Sequence, residues 1–97
     1  MSAYTLHQIC ELLELDEGCA AELVREAVLV ADAGQDAFSE DMLERARVAR
    51  ELVVELEVNV AGVAVIVRMR EELVALRRMA GELARELEVE RARSRRG

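Results

Sequence analysis

The run from Val60 to Val89, VAGVAVIVRMREELVALRRMAGELARELEV, constrains this chain more than any other stretch. Ile66, Met69, Leu73, Leu76, Ala80, Leu83 and Leu87 recur there in alternating steps of three and four, over about three heptads, the period of a long helix with one apolar seam. A lone helix in water has nowhere to bury such a seam. Arg68 with Glu72, Arg78 with Glu82, and Glu82 with Arg85 stand at i,i+4 and i,i+3 spacings that suit a solvated outer face. At about 1.5 Å per residue the run would extend on the order of 45 Å, more than a compact head of about 55 residues is wide. Those seven seam residues are therefore expected to pair with a second copy as a homodimer, and the seam alone leaves parallel and antiparallel pairing open.

What precedes the run has to be a small helical head. The chain has 97 residues, 53% of them apolar and 2% aromatic, and no proline, so one domain with an aliphatic core is expected. Leu, Ala, Glu, Arg and Val dominate, which makes the fold class mainly α. The expected organisation is a head over 1–59, a dimerisation helix over 60–90 and a disordered tail over 91–97.

Taken in order, Thr5 and Gln8 have the spacing of a capping box, followed by the stripe Leu6, Ile9, Cys10 and Leu13. His7, Gln8, Glu11 and Glu14 then face outward. Asp16 is the expected N-cap of a second helix with inward Ala20, Leu23, Val24 and Ala27. Two short amphipathic helices so closely joined make a helix-turn-helix. Val28–Val30 and Ala37–Phe38 flank the turn-rich ADAGQD, which predicts a short β-hairpin, with Phe38 plugging the core. Ser39 should cap a third helix running to Leu56, and Asn59 should cap the long one after a break at Glu57–Asn59. Ala61, Gly62 and Ala64 would let another helix approach closely.

The formal charge of −7 is unevenly placed. Over residues 1–38 eight acids meet Arg25 alone, which gives 1 − 8 = −7, and from Ser39 onward twelve acids balance twelve arginines. A one-signed face is costly in self-repulsion and useful when a basic partner docks on it, so Glu11, Glu14, Glu17, Glu22 and Glu26 are the candidate binding residues. The same charge repels nucleic acid, since a recognition helix needs Arg, Lys, Asn or Gln at base edges; DNA binding would have to recruit Arg45, Arg47 and Arg50. For catalysis, the chain offers neither a Ser/His/Asp or Cys/His set nor a recognised phosphate loop, and no enzyme or cofactor is expected. His7 and Cys10 with Cys19 lack the paired spacings of a zinc site, so no metal is expected either. Two cysteines suit a reduced compartment. With no leader-like opening, and a longest apolar run, Val58 to Val67, about half a membrane span, a cytoplasmic protein without a membrane partner is expected.

The order of parts resembles a known family. YTLHQICELLELDEGCAAELVREAVLV, then FSEDMLERARVARELVVEL, then EVNVAGVAVIVRMREELVALRRMAGEL, is similar to the MerR-like winged-helix proteins and, among them, to CbpM-type chaperone modulators, with LEVNVAGVAVIVRM the most telling segment. That resemblance implies a winged helix-turn-helix head with a minimal hairpin wing and a long C-terminal coiled-coil helix. It also implies binding to the J domain of a CbpA- or DnaJ-like co-chaperone, inhibiting its cooperation with Hsp70. The alternative it leaves is a MerR-like transcription regulator. Ala27 stands where the family carries Gly before the wing, Ala31 where Pro is common, and Leu23 and Val24 replace the Arg and Tyr of DNA-binding members.

Overall fold

The computed structural model describes residues 3–96. It is mainly helical: α1 Leu6–Leu13, α2 Glu17–Arg25, α3 Glu40–Arg50, a π-helical segment Glu51–Glu55, and α4 Val60–Arg96. The chain divides into two compact units, Met1–Val67 and Arg68–Gly97. The first turns of α4 therefore belong to the head, whereas the sequence suggested a boundary at Asn59.

Helix starts follow the local chemistry. Thr5 Oγ1 accepts from Gln8 N (3.1 Å) while Gln8 Oε1 accepts from Thr5 N (2.8 Å), closing the capping box. Asp36, from the distant loop, adds a third ligand to the same helix end by accepting from Leu6 N at 3.0 Å. Asp16 accepts from Cys19 N (3.1 Å), Ser39 from Met42 N (3.3 Å) and Asn59 from Gly62 N (2.7 Å). Each cap satisfies a backbone N–H that the helix cannot.

The core is built where the stripes meet. Ile9 and Cys10 of α1, Ala20 and Leu23 of α2, and Ala46 and Ala49 of α3 are buried, together with Leu15, Val28, Leu29, Phe38 and α4's Val63, Ala64 and Val67. Burying a large apolar side chain is worth about 1.5–3 kcal/mol, so Ile9, Leu23, Leu29 and Phe38 are main contributors, and the alanines let α3 sit close to α1. Gly62 has a different role from the one its sequence context suggested. A Cβ there would meet Val58 Cγ1 at 2.9 Å and Asn59 Oδ1 at 3.2 Å, so the missing side chain makes room for the cap and for Val58. Ala61 is exposed.

The expected wing hairpin does not form: among the described residues there is no strand, only an isolated antiparallel bridge between Tyr4 and Phe38. The backbone donors explain why. Val28 N and Leu29 N both bond Leu23 O (2.8 and 3.1 Å), and Val30 N points to Met42 Sδ (3.5 Å). Phe38 spends both its N–H (2.7 Å) and its C=O (2.9 Å) on Tyr4. Among the described residues, the Asp32 N to Ala37 O bond, 2.8 Å, is the backbone bond that still closes the loop between the two limbs.

Three helices end in left-handed residues that are not glycine: Glu14 (φ 53°), Ala27 (φ 59°) and Glu57 (φ 55°). Ala27 was expected on the inner face of α2; it is instead exposed, beyond the C-cap Glu26. Ala27 N bonds Val24 O (3.0 Å) and Val28 N bonds Leu23 O (2.8 Å), the paired 5→2 and 6→1 bonds of a Schellman motif. Val28 and Leu23 supply its apolar contact, both buried. Val24, also expected inside, is 38% exposed.

α3 does not run as one regular helix to Leu56. It ends at Arg50 and passes into the π-helical segment, with Glu57 turning the chain into the Asn59 cap. In the second unit the helix continues through Arg96, past the Arg91 boundary expected for a disordered tail, and Gly97 lies outside the described residues. Arg93, Arg95 and Arg96 sit in its last turn, where the negative end of the helix dipole favours cations, and Arg93 pairs with Glu90 (3.2 Å). Among the described residues no helix is long and apolar enough to cross a membrane.

Candidate functional site

Glu11, Glu14, Glu17, Glu22 and Glu26 are all exposed. α1 carries Glu11, and Glu14 is its C-cap; α2 opens on Glu17 and carries Glu22, with Glu26 as its C-cap. The buried stripe of each helix faces the core, which leaves these carboxylates in solvent on the two leading helices.

His7 brings two of them together. Its Nε2 lies 2.8 Å from Glu11 Oε1, one turn along α1, and its Nδ1 lies 3.1 Å from Glu17 Oε1 at the start of α2. The hydrogen bond to Glu17, followed by the Glu11 charge, raises the imidazole's pKa above its ordinary 6.5. A protonated ring can donate to both carboxylates at once, so His7 acts as an exposed clasp between the helices. The Glu11 spacing was legible at i,i+4; the cross-helix contact with Glu17 depends on how α1 and α2 pack, which no sequence period encodes.

The thiols are not poised for chemistry. Cys10 is buried and Cys19 half-buried, both free. Burial, followed by the Glu17 and Asp16 charges, pushes the Cys10 thiol up; burial, followed by Glu22 and Asp16, does the same to Cys19. Either shift disfavours the nucleophilic thiolate. His7, Cys10 and Cys19 do not form a metal-holding group, and among the described residues no set of three His, Cys, Asp or Glu side chains does.

Of the arginines that DNA binding would need, Arg45 and Arg47 are engaged within the head. Arg45 Nη1 donates to Val28 O at 3.1 Å, tying α3 to the end of α2. Arg47 forks onto Glu44 (Nε to Oε2, 3.1 Å) and comes within 3.9 Å of Glu51. Arg50 is half-buried, its Nε enclosed without a hydrogen-bond partner.

The seam residues are exposed along α4. Ile66 is 38% exposed, Met69 62%, Leu73 47%, Leu76 61%, Leu83 59% and Leu87 58%, and Ala80 is exposed with them. Isolated exposed leucines are ordinary on a protein surface; a row of them at heptad spacing is an uncovered face.

No family model, curated protein or solved structure matches the chain significantly.

Proposed function

We propose that this chain is a non-enzymatic, cytoplasmic chaperone modulator of the CbpM type. Its MerR-like head would dock the J domain of a CbpA- or DnaJ-like co-chaperone through the acidic face of α1 and α2 and inhibit cooperation with Hsp70. The observation that carries this most is the exposure of Glu11, Glu14, Glu17, Glu22 and Glu26 on the head's two leading helices. J domains present a basic helix to Hsp70, and a complementary field both steers encounter and excludes wrong partners. The seam residues of α4 support a homodimer, because their burial against a second copy removes apolar surface from water.

The contacts of Arg45 and Arg47 weigh against the alternative of a transcription regulator, since guanidinium groups already bound within the head have to be released before they can meet phosphates. Mixing the purified chain with candidate J domains tests the proposal: co-elution is expected, together with no retention of random-sequence DNA at low salt. DNA retention that fades with salt, without J-domain co-elution, would favour the regulator instead.

A further inference from the structure

A second feature of the head concerns what kind of cationic surface it takes. Leu12 is apolar but lies outside the α1 stripe, and it is 60% exposed. One such leucine means little by itself. Here, however, it lines a shallow depression of about 440 Å³ together with Tyr4, Gln8 and Glu11.

The Tyr4 wall is fixed on both sides. Its backbone exchanges two hydrogen bonds with Phe38 (2.9 and 2.7 Å), and its hydroxyl donates to Glu40 Oε1 at 2.9 Å. Phe38 is itself buried, so the aromatic side of the depression is anchored to the core and loses little freedom when something packs on it. The charged side chain in its lining is Glu11, Glu40 holds the tyrosine, and over residues 1–44 eleven acids outweigh Arg25 and His7.

From these observations, and resting on the acidic-face docking proposed above, we infer that Leu12 and Tyr4 form the apolar anchor point of that face. They receive an aliphatic side chain from a cationic amphipathic helix while the glutamates meet its basic side chains. A second copy of the head is a poor occupant because it brings the same negative field, and an anionic lipid surface or nucleic acid is repelled for the same reason. An aromatic wall beside an aliphatic residue, with polar Gln8 and Glu11 at its edge, is a place where a few contacts can dominate binding once a partner covers it.

Two synthetic helical peptides of equal arginine content test this, one with a leucine stripe and one with serine at those positions, each titrated by fluorescence anisotropy into the full chain and its Leu12→Ala variant. The wild-type chain should bind the leucine peptide about tenfold tighter than the serine peptide. Leu12→Ala should erase that preference yet keep the salt-sensitive binding of both, and, since Leu12 is exposed, it should leave thermal stability unchanged. A preference that survives Leu12→Ala overturns the inference, as does equal binding of both peptides by wild type, which would leave the acidic face intact as a docking surface. Failure of both peptides to bind at low salt overturns the anchor and the acidic face together. A Leu12-dependent change in sedimentation without peptide, or binding to anionic vesicles in place of the peptides, would assign the depression to a second copy or to lipid and equally overturn it.

Discussion

Replacing Ala27 by glycine should stabilise the head. Ala27 sits at φ 59° as the left-handed residue of the Schellman motif that ends α2, and both motif bonds and the buried Val28–Leu23 pair depend on that conformation. An alanine held there costs roughly 1–2 kcal/mol from the contact of Cβ with the following carbonyl. Glycine removes that cost but adds about 0.5–1 kcal/mol of backbone entropy to the unfolded chain. The difference spans about 0–1.5 kcal/mol and centres on about 0.75, which for a domain of this size raises the midpoint by about 3–6 °C. Ala21, exposed in the interior of α2, is the control: Ala21→Gly meets no such strain and should cost about 1 kcal/mol. Thermal melts followed by circular dichroism, at matched protein concentration because self-association shifts midpoints, separate the two. If Ala27→Gly lowers the midpoint as Ala21→Gly does, the left-handed alanine is not strained and the account of the turn is wrong.

Other perturbations read different parts of the molecule. His7 is the only histidine, so its imidazole signals in proton NMR titrate without ambiguity, and Glu17→Gln should move their midpoint down toward 6.5. An unmoved midpoint would mean the clasp is not formed. Because the folded-state pKa is raised, the clasp's contribution is fully present below the ordinary value of 6.5 and is lost as pH rises through the folded value; His7→Gln should flatten stability over that window. Leu76→Glu puts a charge in the middle of the seam, so light scattering should give twice 10.8 kDa for the wild-type chain and a single 10.8 kDa for the variant. Equal masses for the two would remove the seam from any role in assembly.

Most of what could be read in the sequence was local. Thr5, Asp16, Ser39 and Asn59 each cap the helix they precede, because an N-cap needs only one side chain and a backbone N–H two or three residues on. The buried stripes of α1 and α2 were legible through Ile9, Cys10, Ala20 and Leu23, and Phe38 fills the core as expected even though the hairpin it was placed in does not form. The hairpin is absent because the N–H groups it would need are already committed, which β-branched residues beside a turn do not reveal; those of Val28 and Leu29 go back to Leu23 O. The π-helical segment and the helical course of Arg91–Arg96 carry no composition signal that separates them from a regular helix or a frayed end. At the site, the exposed glutamates were readable from periodicity. The His7–Glu17 contact and the Tyr4–Leu12 depression were not, since both join residues from separate elements.

Docking through the acidic face is tested by a calorimetric titration of a CbpA-type J domain into the wild-type chain and two double charge reversals, Glu11→Arg with Glu14→Arg and Glu22→Arg with Glu26→Arg. Each pair replaces two attractions by two repulsions, together about 1–2 kcal/mol or roughly tenfold in affinity for exposed charges. Weaker binding by about that factor in both variants, a flatter salt dependence, and no change for Val89→Ala on α4 is the predicted result. Reversals that bind as the wild-type chain does, or that bind less well than it only where Val89→Ala does too, would contradict it.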